Sequence, residues 1–374
     1  MRNYFLATIA ATTCAMLFLS TGPRGAALTA DIQQGSQALT SALELDIDEE
    51  MFTVNGTPQF LVFVSYFDAM DVSATNLHSD FAYLRSKGVD GIRIFANWWD
   101  VQQDPWDFPD QMTYAPDTLI AANGTLRSAS LTKFRAVLDI AKQEGLLVDV
   151  TFSPNTVKDC ISGTCDSLSF TEYRTAIVSV ATNLAAAGSA YKHVLFDLAN
   201  EYSHNKLIGT NTALTDSQIL SIRNGVKGAD PHRIVTASLG HPRGANTVAA
   251  AETGATKETE AKVDVIAWHE NRTEVTHNFW DLVDDAIFAI QGVNPDLPIY
   301  LQEPERYRQN NQAWLTKAGF GADVRGAYVN GAAAWCFHNG GSFRMDGSKL
   351  QTKLQPEEKA FLTCLNSYVL TGGC

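Results

Sequence analysis

Glu201 and Glu303 each close a short apolar run, Val-Leu-Phe-Asp-Leu-Ala-Asn-Glu over 194–201 and Pro-Ile-Tyr-Leu-Gln-Glu over 298–303. Two carboxylates brought face to face can divide a substitution at an acetal carbon between them. One attacks the carbon while the other, kept protonated, donates to the leaving oxygen. The pair also sorts its own protons, because a charge on one carboxylate disfavours a charge on its neighbour. Double displacement of this kind needs a separation of about 5 to 5.5 Å. Arg93, Asn200, His269 and Trp335 lie at the ends of this and other apolar runs. Period-2 alternation puts Asp197, Ala199 and Glu201 on one strand face, where Asp197 is expected to support an inward-pointing Arg93 as a buried ion pair. The same alternation groups Val265, Ala267 and His269 and turns Glu270 away, which weakens Glu270 as a competing acid. Glu305 follows Pro304 beyond the run and reads as a loop residue paired with Arg306 or Arg308.

Groups placed in this way need a scaffold that gathers many strand ends on one side. From residue 51 onward, strand-like runs alternate with helix-like ones. The expected strands are 61–66, 91–95, 146–151, 194–200, 234–238, 263–269, 299–303 and 332–337. The expected helices are 79–87, 131–144, 171–187, 216–227, 246–260, 279–290, 309–318 and 356–365. Phe134, Val137, Leu138 and Ala141 recur at helical spacing before Gly145, and Gly88 stops the first helix. Eight such units, with no Gly-rich dinucleotide fingerprint after the first strand, predict an α/β fold. It is a closed (β/α)8 TIM barrel forming a single catalytic domain over 51–374. Reactive groups of such barrels sit where strands end, as do the residues named above.

The chain carries 41 acidic against 28 basic residues and no basic run, so no nucleic-acid partner is expected. With 45% hydrophobic and 18% charged residues it has the composition of a well-packed globular protein rather than a disordered one. Residues 1–30 have the anatomy of a secretory signal peptide: Arg2, an apolar stretch from Tyr4 to Leu19, then small residues from Gly25 to Ala30. Cleavage is expected between Ala26 and Ala30. No other segment approaches about 20 apolar residues. The mature chain is therefore expected to be a secreted monomer, extracellular or periplasmic, without a membrane partner. Residues 31–50 are polar and aperiodic and read as a loosely docked N-terminal extension. Export permits disulfides. Cys160 and Cys165 flank a turn-rich segment and form the first expected pair, Cys364 and Cys374 the second, leaving Cys336 as a buried thiol. The cysteine spacing matches no zinc pattern, and neither a metal nor another cofactor is expected.

Over about 52–339 the chain resembles the large clan of retaining (β/α)8 glycoside hydrolases that includes the cellulase and mannanase family. The resemblance is carried by Asn200-Glu201 ending strand four and Glu303 ending strand seven, with Arg93, His269 and Trp335 on strands two, six and eight. It implies that Glu201 is the acid/base and Glu303 the nucleophile. Asn200 would bond the sugar 2-hydroxyl, Arg93 would hold Glu303 ionised, His269 would contact substrate, and Trp335 would floor the cleaved subsite. The clan's histidine at the end of strand three and its tyrosine two residues after the strand-six histidine are replaced here by Ser153-Pro154-Asn155 and Asn271. The long connection 97–130 carries Trp98, Trp99, Trp106, Phe108 and Tyr114 and reads as an aromatic wall on which sugar rings stack. The implied activity is cofactor-free cleavage of β-glycosidic bonds in a poly- or oligosaccharide. A transglycosylase with the same glutamates and a non-catalytic carbohydrate-binding barrel are the alternatives. A metal-dependent hydrolase using His269, Asp149 or His204 ranks last, for the sequence has neither HExxH nor an HxH on the first strand.

Overall fold

The computed structural model describes residues 43–97, 118–121, 123–154, 168–203, 206–207, 212–240, 247–269, 279–304, 316–341 and 347–374. Its centre is a sheet of eight parallel strands. These are β1 (Leu61–Ser65), β2 (Gly91–Phe95), β3 (Leu147–Thr151), β4 (Val194–Asp197), β5 (Val235–Thr236), β6 (Ile266–His269), β7 (Ile299–Glu303) and β8 (Ala334–Phe337). Neighbours run β5-β4-β3-β2-β1-β8-β7-β6. A parallel bridge between Leu239 and Trp268 joins the two ends, so the sheet closes on itself as the expected (β/α)8 barrel. The helices are α1 (Ala74–Ser86), α2 (Ser128–Gln143), α3 (Phe170–Ala185), α4 (Asp216–Ala229), α5 (Thr247–Glu260), α6 (Phe279–Val293), α7 (Lys317–Val329), a short α8 (Leu350–Lys353) and α9 (Pro356–Thr371). None of the described helices is long and apolar enough to cross a membrane.

The strands are buried along their length, as parallel strands covered on both faces must be. Their alternation divides the core in two. Leu61, Phe63, Leu147, Leu195 and Tyr300 pack together inside the barrel. Val62, Ile92, Val148, Phe196, Leu301 and Trp335 belong to the layer between barrel and helices. The inner cluster gathers residues at strand beginnings, and Leu43, Leu45 and Phe52 join it from outside the barrel. They plug the N-terminal end. Residues 43–50 are thus not the loosely docked stretch expected. Leu45–Asp48 pairs antiparallel with Met51–Val54, which pairs with Thr57–Pro58, and the Leu45 N–H donates to the Lys192 carbonyl at 3.1 Å.

Helix beginnings follow local chemistry. Ser169 and Glu172 form a capping box on α3, and Thr215 and Gln218 form one on α4. The seventh helix departs from expectation. Of the span 309–318, residues 309–315 lie outside the described residues, and the helix itself runs Lys317–Val329. Gly319, Gly321 and Gly326 lower its helix propensity and conceal it. Gly321 has a packing reason: a Cβ there would fall inside the Tyr368 ring of α9. Cys364 and Cys374 sit as a pair with Cα atoms 5.4 Å apart. Cys160 and Cys165 lie outside the described residues. Cys336 is buried and unpaired, and burial pushes its thiol up to about 12.

Candidate active site

Toward the C-terminal ends of the strands, the inner face turns from apolar to polar. Arg93 of β2 is fully buried at the centre of this polar layer. Its Nη1 donates to Glu303 Oε1 at 2.6 Å, its Nη2 to Asn200 Oδ1 at 2.7 Å, and its Nε to Thr151 Oγ1 at 2.9 Å. Asp197 and Asp149 stand 3.5 and 3.7 Å away, so the expected Arg93–Asp197 pair forms within a larger cluster. A guanidinium is tolerated at such depth only when paired. Burial disfavours its charge, but Glu303, Asp149 and Asp197 outweigh burial and keep it protonated. The hydrogen bond from Arg93 fixes the Asn200 amide with its oxygen toward the guanidinium.

Glu201 follows β4 in a left-handed backbone conformation, φ +49°. For a non-glycine residue this costs about 1–3 kcal/mol and persists only where the surroundings impose it. Here the Glu201 N–H donates to Ser238 Oγ at 3.1 Å, and the Ser238 hydroxyl and N–H donate to Asp197 at 2.9 and 3.1 Å. The Asn200 N–H is held by the Phe152 carbonyl at 2.7 Å. The two glutamate side chains differ in access: Glu201 is 26% exposed and Glu303 only 7%. One carboxylate oxygen of each lies, with a ring nitrogen of His269, inside a group no wider than 4.8 Å.

His269 stands between the acids. Its Nδ1 is 3.3 Å from Glu201 Oε1 and 3.7 Å from Glu303 Oε2. Its Nε2 is 2.8 Å from Gln302 Oε1, and Gln302 Nε2 donates to Asp149 Oδ2 at 2.8 Å. Burial opposes a charge on the His269 ring, yet the Glu303 and Glu201 carboxylates overcome it and raise the ring's proton affinity above the ordinary value. On the far side of Glu303, His338 places Nε2 3.8 Å from Oε2, and its Nδ1 is 3.0 Å from Ser65 Oγ.

No protein-family model matches the chain, and no curated protein matches its sequence. Solved structures do. An endo-1,4-β-mannanase from Rhizomucor miehei matches with a TM-score of 0.53 at 12% identity, over 85% of this chain and 99% of that one. The mannohexaose complex of a Thermomonospora fusca β-mannanase matches with a TM-score of 0.54 at 12% identity, over 86% and 94%. A glycoside hydrolase family 5 structure from Bacteroides vulgatus gives 0.54 at 11% identity, over 85% and 69%. The chain shares its (β/α)8 barrel fold with these proteins.

At the C-terminal end of this barrel, Arg93, Asn200, Glu201, His269 and Glu303 are brought together. Trp335 does not join them. Ala334 and Cys336 take the inner positions of β8, so Trp335 points outward, its Nε1 donating to Asp323 of α7 at 2.9 Å and its ring packed on Phe337 and Phe361. It is core and cannot floor a subsite. Trp98 and Trp99, with the rest of the expected aromatic wall over 98–117, lie outside the described residues, as do His204, Glu270, Asn271 and Glu305. Thr151, Ser238, Gln302 and His338 were not expected at the site, and Asp149 was named only for the metal-dependent alternative. For Asp149 and Thr151 the signal was present, two polar residues on the inward face of an apolar strand.

Glu201, His269 and Glu303 are also the described residues whose donor atoms cluster as metal ligands do. The set fits a cation poorly, because the Arg93 guanidinium already occupies Glu303 and would repel a second positive charge. A cavity of about 780 Å3 opens elsewhere, at the plugged N-terminal end. Among its charged groups Lys227 pairs with Asp264 and Arg233 with Asp230, and none of the clustered residues Arg93, Glu201, His269 and Glu303 lines it.

Proposed function

We propose that the protein is a retaining glycoside hydrolase that cleaves β-glycosidic bonds of a poly- or oligosaccharide through a covalent glycosyl-enzyme. The observation that carries this reading is the close approach of the two glutamate carboxylates, with oxygens inside a 4.8 Å group. Oxygens this close favour double displacement, for which the carboxyl groups stand about 5–5.5 Å apart, over inversion, for which they stand about 6.5–9.5 Å apart to admit a water. The roles follow from environment. Glu303 is buried on Arg93, which favours its anion and makes it the nucleophile. Glu201 is more open, can reach a leaving oxygen and later a water, and keeps its proton while Glu303 carries the charge. When Glu303 attacks the anomeric carbon its charge is consumed in the new ester bond. Glu201, having given its proton to the leaving oxygen, then accepts one from water as that water releases the sugar from Glu303. Asn200, anchored on Arg93, would bond a sugar hydroxyl through its amide N–H2. No cofactor is needed for any step.

The mannanases among the structural neighbours make β-mannan the first substrate to try. The signal-like N-terminus supports secretion, and export would allow Cys364 and Cys374 to join as a disulfide. The test is product release by the mature protein from mannan, β-glucan, xylan, galactan and uronate-containing polysaccharides, beside Glu201→Gln and Glu303→Gln. Each variant is expected to lose at least about 10²- to 10⁴-fold in kcat/KM. Equal activity in all three proteins would dismiss the mechanism.

A further inference from the structure

We propose that Gln302 and Asp149 are positioning residues that confine the titration of His269 to Nδ1, the ring atom facing Glu201. This rests on Glu201 being the acid/base. Asp149 Oδ2 accepts from Gln302 Nε2 at 2.8 Å, and its Oδ1 accepts from the Thr151 hydroxyl at 3.4 Å. Burial pushes this carboxyl up to about 7, and while the group is ionised, or carries its proton on Oδ1, Oδ2 only accepts. The Gln302 amide is therefore oriented with N–H2 on Asp149 and Oε1 on His269. An amide oxygen only accepts, so His269 Nε2, 2.8 Å away, must carry a proton in every state of the ring. Gln302, Asp149 and His269 are all buried, which leaves no bulk water to substitute for either bond.

The ring then gains and loses its second proton at Nδ1 alone, 3.3 Å from Glu201 Oε1. Other charged groups stand around it. Glu303 of β7 lies 3.7 Å away with Arg93 of β2 behind it, and His338 is beyond Glu303. On the helix side, Glu258 of α5 accepts from the Ala267 N–H of the same strand. A neutral ring with its lone pair on Nδ1 accepts a hydrogen bond from protonated Glu201 but gives nothing to an ionised one. The pair Gln302–Asp149 thus helps Glu201 stay an acid.

Replacing Gln302 by Leu removes the acceptor on Nε2. The neutral ring becomes able to carry its proton on Nδ1 and donate it to ionised Glu201, and the charged ring loses a partner. Both effects move the basic limb of the kcat/KM profile to lower pH, by about one unit. Nitrogen-15 NMR of the His269 ring reads the cause directly and without activity. The neutral ring of the parent protein is expected to be protonated at Nε2, with Nδ1 protonation appearing in Gln302→Leu. In the near-isosteric Asp149→Asn, which offers Gln302 a donor as readily as an acceptor, a mixture is expected. If Gln302→Leu fails to fold, Asp149→Asn decides. An Nε2-protonated ring in every folded variant overturns the proposal. A changed tautomer with an unmoved limb overturns its bearing on Glu201. Absence of glycosidase activity in the parent would strike the functional reading and leave the tautomer result standing.

Discussion

Asp149 illustrates how a single buried carboxyl links the site to stability. Burial, opposed by Arg93, raises it to about 7, whereas an unfolded aspartate titrates near about 3.9. Between these values the folded protein holds a proton that the unfolded chain has released. The stabilisation is therefore complete below about pH 4 and is lost as pH climbs to about 7. Asp149→Asn removes this contribution, so its Tm is expected to fall less than the parent's over that interval; parallel curves would contradict the assignment. At the same scale, the residues legible in the sequence were those whose type and strand position coincide. Arg93, Asn200, Glu201, His269 and Glu303 lie together as the resemblance implied, and Asp197 joins them as alternation implied, although Asn200 and Glu201 reach the site side by side through the left-handed turn after β4 and not by strand alternation. Trp335 failed for the same geometric reason that made others succeed, because its neighbours Ala334 and Cys336 own the inner face. Gln302 and His338 were hidden because their roles come from what other strands bring opposite them, and a single run of residues does not encode its neighbours.

At the scale of elements, α7 separates local preference from packing. In an ordinary helix interior Gly→Ala stabilises by about 0.5–1 kcal/mol, and Gly228 of α4, whose Cβ would meet nothing within 4 Å, should behave this way. Gly321 should do the opposite. Its new methyl group would strike the Tyr368 ring of α9, and overpacking of this kind costs about 1–3 kcal/mol. Thermal melts of Gly321→Ala and Gly228→Ala should therefore shift in opposite directions, and a Gly321→Ala protein melting above the parent would refute the packing account. Strands β2 and β7 matched their expected limits because apolar runs bounded by polar or turn residues are strong local signals. The seventh helix was misplaced because its glycines answer a helix–helix contact that sequence periodicity does not register.

For the molecule as a whole, the barrel is a channel that must be filled at one end so that chemistry can occupy the other. Leu43, Leu45 and Phe52 supply the filling. Phe52 is fully buried, and Phe52→Ala is expected to cost about 3–5 kcal/mol, seen as a lower denaturation midpoint with an unchanged slope. A loss below about 1 kcal/mol would mean that the plug is not part of the core. The alternation of eight strand–helix units was legible because it recurs along the chain, whereas the plug was not, since residues 43–50 look polar until their few apolar side chains are seen to point inward. Above this filled base, Arg93 and the acids around it gather Glu201 and Glu303, the proposed acid/base and the proposed nucleophile. The most direct test of that claim is a trap: incubation with 2-deoxy-2-fluoro-β-mannosyl and -glucosyl fluorides, followed by peptide mapping by mass spectrometry. One glycosyl unit esterified to Glu303, and none in Glu303→Gln, is the expected result. A label on any other residue, or turnover of either reagent without a trapped species, would contradict it.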